Sequence, residues 1–187
     1  MASKVSTSLE QPLSAIGRTA RQIAEETGPP VTGANDSDEN GPYAITIVHV
    51  FDAPRELVFR NWIDAADVRT WFAPDDCTVT FCEVDARPGG MWRVEYHCDF
   101  GGEYTEHGEF HEVLEPERLV LSLIQEDGEG NVRHRTLITV SFVSVGAKTE
   151  MTFTQTGFET SRRRDNNIAG WNECFRKLEA HVTTSGS

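Results

Sequence analysis

The sequence predicts an α+β domain: a curved antiparallel sheet of about six to seven strands around a long C-terminal helix, with two short helices after the first strand. Three observations carry this. Residues 52–90 interrupt a strand pattern with two short helical ones. From Gly90 onward, turn signals punctuate β-rich runs at regular spacing with no helical pattern between them, which favours hairpins over βαβ units. The period then changes. Over residues 166–182 (NNIAGWNECFRKLEAHV), Ile168, Trp171, Phe175, Leu178 and Val182 recur at three- and four-residue steps, one apolar stripe on a helix of about five turns. One helix cannot fill a broad bent sheet, so unfilled space is expected at its flank.

In chain order, residues 1–42 read as a separate tail. Gly28 to Pro42 is a Gly/Pro/Asn/Asp/Ser-rich linker. Before it, Ile16, Ala20, Ile23 and Ala24 share one face of a weak amphipathic helix, which is either a frayed appendage or an element that docks on the domain or on a second copy of the chain, as a homodimer. Residues 43–51 (YAITIVHVF) are the first strand, with Ile45, Ile47 and His49 on one face and Val48 and Val50 on the other. Pro54 opens the first short helix at a first-turn position, and Leu57, Val58 and Trp62 follow at helical spacing. Trp71-Phe72-Ala73-Pro74 stops the second. Strands are then expected over residues 78–84, 91–98, 104–114, 118–125, 134–145 and 149–156, separated by turns rich in Gly, Pro and Asp. Gly170, inside the last helix, is explained by close packing against a strand. Residues 183–187 read as a disordered tail.

Composition removes several function classes. Formal net charge is −13, from 30 acidic against 17 basic residues. A nucleic-acid partner is therefore not expected, since backbone binding needs clustered Lys and Arg. No apolar run approaches ~20 residues, so no membrane span is expected. The first residues lack the apolar core of a secretory signal, and the protein reads as cytoplasmic. Four cysteines (Cys77, Cys82, Cys98, Cys174) show no CxxC spacing and read as reduced thiols rather than as a disulfide or a zinc site. No P-loop, GxGxxG or GxSxG motif is present, and no cofactor is expected.

The order of elements and several motifs resemble the helix-grip superfamily of START- and Bet v 1-like domains, over about residues 43–182. Within it the chain is most similar to the family named for the C-terminal domain of the activator of Hsp90 ATPase. Phe51-Asp52-Ala53-Pro54 with Val58-Phe59 and Trp62 resembles the family's opening strand and helix. Trp71-Phe72-Ala73-Pro74 resembles its stop, and Arg87-Pro88-Gly89-Gly90-Met91-Trp92 its glycine-pair hairpin. Gly108, Val113 and Pro116-Glu117-Arg118-Leu119 resemble the mid-domain signature. Thr149, Met151, Phe153, Gly157-Phe158, Gly170-Trp171 and Leu178 resemble the closing strand and helix. The resemblance implies a hydrophobic pocket between helix and sheet, used elsewhere in the superfamily for lipids, polyketides or hormones, and by some relatives for cyclase chemistry. Chaperone stimulation belongs to eukaryotic two-domain relatives.

The pocket is expected to be lined by Trp62, Trp71, Phe72, Trp92, Val94, Tyr96, Phe110, Leu121, Trp171 and Phe175. Trp92, Val94 and Tyr96 alternate along one strand and so share a face. The Tyr96 hydroxyl and the indole N–H groups are candidate polar handles in apolar walls. A hydrophobic small molecule is the expected partner. His107, Glu109 and His111 form an H-x-E-x-H triplet, but Tyr104 and Phe110 on the opposite face suit the interior better, so the triplet is expected to point outward rather than hold a metal. Arg133, His134 and Arg135, and Arg162 to Arg164 before the last helix, are basic clusters that suit solvated turns or, less directly, an acidic ligand group. For a cyclase- or hydratase-type enzyme Glu95, His97, Asp99, Glu103 and Glu106 are available acids and bases, and spacing selects none of them. A protein-interaction module is the third reading.

Overall fold

The computed structural model describes residues 41–185. The expected helix around Ile16 to Ala24 lies outside the described residues. Strand β1 (Tyr43–Phe51) leads into two short helices, α1 (Arg55–Ile63) and α2 (Ala65–Trp71). Six strands follow: β2 (Cys77–Val84), β3 (Met91–Cys98), β4 (Glu103–Leu114), β5 (Arg118–Asp127), β6 (Val132–Val145) and β7 (Lys148–Phe158). Helix α3 (Ser161–Ser185) closes the domain. The seven-stranded sheet has the order β1-β7-β6-β5-β4-β3-β2, antiparallel throughout. This is the curved open sheet gripping a long helix that the sequence predicts.

Local chemistry sets the joints. Pro54 occupies the N-cap of α1 rather than its first turn, and its carbonyl accepts the Leu57 and Val58 amides. Asp64 ends α1 and caps α2, its side chain accepting the Ala66 and Asp67 amides at 2.8 and 3.2 Å. Two helices thus turn on one residue. Helix α3 starts about a turn earlier than predicted, so Arg162, Arg163 and Arg164 lie inside it, after Thr160, whose hydroxyl accepts the Arg163 amide. The apolar stripe holds: Trp171, Phe175, Leu178 and Val182 are buried against the sheet, and Ile168 packs at its margin.

The thiol expectation is corrected. Cys77 and Cys98 face each other across β2 and β3 and are joined in a disulfide, while Cys82 and Cys174 are free. Such bonds persist mainly in oxidising compartments. Close packing does not explain Gly170 either. A Cβ there would meet only the Pro74 ring, at 3.9 Å. A glycine that close approach does require is Gly108, where a Cβ would lie 1.9 Å from the Ser122 carbonyl oxygen. Trp92, directly opposite Gly108 on β3, reaches past it and donates its indole N–H to that same oxygen at 3.0 Å. No described helix is long and apolar enough to cross a membrane.

Candidate functional site

Between α3 and the concave face of the sheet, the interior divides into two parts. Toward α1 and α2 it is closed. Trp62, Trp71, Phe72, Trp92, Phe110 and Leu121, with Val68, Val84 and Ile138, surround a void of only about 20 Å³. The rings interlock: Trp62 lies 4.9 Å from Trp71 and stacks on Trp171 at 6.3 Å, and Phe72 meets Trp171 edge-on at 5.6 Å. Trp71 donates its indole N–H to the Asn61 carbonyl at 3.0 Å. Trp171 donates to Gln155 Oε1 at 2.7 Å, and Gln155 Nε2 in turn donates to the Thr136 hydroxyl at 2.9 Å. The indoles of Trp71, Trp92 and Trp171 therefore serve the protein itself; only Trp62 Nε1 is buried without a partner.

Toward the first turns of α3 the interior opens into a cavity of about 90 Å³. Its walls are Phe72, Pro74, Trp171, Gly170 and Cys174, and its floor is a polar row across three strands. Alternation points Glu106, Gln125 and His134 inward on β4, β5 and β6, and antiparallel register sets Glu106 opposite Gln125 and Gln125 opposite His134. Tyr96 donates its hydroxyl to Glu106 Oε1 at 2.9 Å, and Gln125 Nε2 donates to the same oxygen at 2.6 Å. Arg163, Asn166 and Asn167 come down from α3, and Arg133 lies beside His134.

The electrostatics follow from burial. Glu106 is nearly fully buried, and desolvation raises its pKa although the bonds from Gln125 and Tyr96 pull the other way. Burial also raises Tyr96 well above the usual phenol range, with the Glu106 charge adding to it. Burial, then the charges of Arg163 and Arg133, hold the His134 imidazole down at about 3. The Cys174 thiol is pushed up by burial and is an inert wall group. On the residues lining this cavity three buried atoms lack partners among the described residues: His134 Nε2 and both polar side-chain atoms of Asn166, Nδ2 and Oδ1. Buried polar atoms are normally paired, so orphans gathered at a cavity mark a place for something else.

Of the sequence-predicted pocket residues, Phe72, Tyr96 and Trp171 line this cavity. Trp62, Trp71, Trp92, Phe110 and Leu121 surround the closed void, and Val94 and Phe175 are fully buried away from both. Among the five acids and bases that spacing could not separate, the structure brings Glu106 to the cavity. His134, read from the sequence as part of a basic cluster suited to a solvated turn or an acidic ligand group, is instead buried on the cavity floor. Gln125 and Asn166 were not anticipated; the signal for Gln125 is a polar residue in an inward frame. The His107 triplet faces outward, with His107 Nε2 at 3.3 Å from Glu126 and His111 Nδ1 at 4.0 Å from Glu109. Among the described residues no three His, Cys, Asp or Glu gather as metal ligands. Arg163 and Arg133 both reach the cavity, Arg133 while paired with Asp127 at 3.5 Å.

A family model described as Activator of Hsp90 ATPase homolog 1-like protein matches residues 52–183. Solved structures similar to the chain include a protein from Chromobacterium violaceum, with 22% identity over 75% of this chain and 98% of that one, at a TM-score of 0.66. The AHSA1 protein from Silicibacter pomeroyi shares 17% identity over 76% and 99% of the two chains, at 0.70. An AHSA1-like protein from Aeromonas hydrophila shares 20% over 77% and 94%, at 0.61. At these identities the likeness establishes the fold. No curated protein matches the chain.

Proposed function

The chain belongs to the Activator of Hsp90 ATPase homolog 1-like family, and from that premise we propose that it binds a small, largely hydrophobic molecule between α3 and the sheet. In this reading residues 43–182 are the binding domain. The observation that carries it is the cavity of about 90 Å³ with aromatic walls and a lining of buried polar groups, three of whose atoms, on His134 and Asn166, have no partner among the described residues. Small-molecule sites have this composition: apolar walls and a few placed polar groups. A thermal-shift panel of short acyl and ring compounds tests it. A ligand at 100 times its Kd adds about 2.7 kcal/mol, a rise of roughly 5–10 °C for a domain of this size. A melting temperature unmoved by every member of the panel rejects the reading.

One observation favours a second reading, an enzyme using the same cavity. Glu106 is buried, its pKa is raised, and only one of its oxygens is engaged by protein donors. A carboxyl group so placed is suited to general acid–base work on a bound carbonyl or hydroxyl compound. Loss of turnover in Glu106→Gln, with ligand affinity retained, separates this reading from simple binding.

A further inference from the structure

We propose that the floor of this cavity is built for an uncharged group that donates and accepts hydrogen bonds at once, of the carboxamide or lactam kind, carried on a small apolar body. The inference rests on the cavity being a ligand site and narrows its chemistry.

Asn166 sets the first requirement. It is 2% exposed, on the cavity wall, and both Nδ2 and Oδ1 are without partners. Nδ2 needs an acceptor and Oδ1 a donor, so a group that only accepts, or only donates, leaves one of them bare. Among the described residues, both donors to Glu106 fall on Oε1, and Oε2 receives none. His134 Nε2 is a further orphan beside them. A hydrocarbon guest would keep all these atoms from water without answering any, the costly arrangement for buried polar groups.

Charge narrows the class again. An anionic group would find Arg163, but it would share the cavity with Glu106 and still offer Asn166 Oδ1 no donor. A cationic group would face Arg163 and Arg133, the two charges that already disfavour a proton on His134. A neutral amide escapes both penalties. Its carbonyl suits Asn166 Nδ2 and an N–H suits Asn166 Oδ1, and the second N–H of a primary carboxamide suits Glu106 Oε2. Phe72, Pro74 and Trp171 give the apolar body a wall, and the volume limits that body to a single ring or a short chain.

Calorimetric titration of the full chain with four phenyl compounds tests this: benzamide donates and accepts, acetophenone only accepts, benzoate is anionic, and toluene is apolar. Benzamide is expected to bind about tenfold more tightly than each of the others, the effect of one well-placed hydrogen bond. Asn166→Ala, checked for native circular dichroism, should abolish that preference and leave toluene unchanged; Asn166→Leu serves if the alanine variant does not fold. Benzoate or toluene matching benzamide overturns the inference and leaves the hydrophobic site standing. Binding by none of the four also overturns it, and the site itself falls only if the acyl and ring panel fails too.

Discussion

Around Trp71 and Trp92, indole N–H groups end on the carbonyls of Asn61 and Ser122, and about 20 Å³ is left over. Around His134 and Asn166, at the other end of the same helix–sheet interface, three buried polar atoms have no partner among the described residues and about 90 Å³ is open. Both regions have aromatic walls. The closed region is not free of orphans, since Trp62 Nε1 and Asn61 Oδ1 are buried without partners among the described residues, but little space adjoins them. What separates site from core is therefore unanswered donors and acceptors together with room for a guest.

That contrast can be broken by mutation, and the largest effect belongs to the closed region. Trp71→Ala removes a fully buried ring and an indole bond there and should cost about 3–5 kcal/mol in chemical denaturation. A loss under about 1 kcal/mol would mean the closed region is loosely packed.

The next effect is a pH dependence from the open region. His134 is held neutral at about 3 in the folded chain, while an ordinary imidazole titrates near 6.5. Between those values the unfolded chain binds the extra proton, so stability rises with pH across this window and is lost on acidification. The loss should reach the order of a few kcal/mol by pH 4. His134→Gln should flatten that part of the curve in urea midpoints measured at pH 4 and pH 7. Equal slopes in both proteins would place the acid sensitivity elsewhere.

The smallest effect compares two amides directly. Gln155 is fully buried and joins Trp171 to Thr136, so Gln155→Ala should cost about 1–3 kcal/mol by orphaning the Trp171 indole N–H and removing a donor from the Thr136 hydroxyl. Asn166→Ala removes two atoms that have no hydrogen-bond partner among the described residues and should change stability by less than about 1 kcal/mol. Equal costs would erase the distinction between the two regions.

The architecture was legible because it rests on period and punctuation. Alternation in Tyr43–Phe51, turn signals between the later strands and the stripe on α3 each report a local preference. The site was less legible because it depends on register. Glu106, Gln125 and His134 each sit in an inward frame that alternation reveals, yet their alignment in one row depends on shifts between Phe110 and Glu112 and between Gln125 and Glu126. The disulfide was hidden for the same reason. Val84 pairs with Trp92, and without the irregularity between Val79 and Phe81 that register would set Cys77 opposite Asp99 instead of Cys98. Aromatic abundance pointed to the right interface and, within it, chiefly to the packed part.

The link from Trp171 through Gln155 to Thr136 also fixes how the domain can admit anything. It pins α3 near its middle to β7 and β6, and farther along Lys177 donates to the Ala73 carbonyl at 2.8 Å while His181 meets Asp67 at 3.1 Å. The helix cannot roll on the sheet without breaking that fastening. The turns before Trp171, with Arg163 and Asn167, lie ahead of that fastening and form the cavity's helical wall.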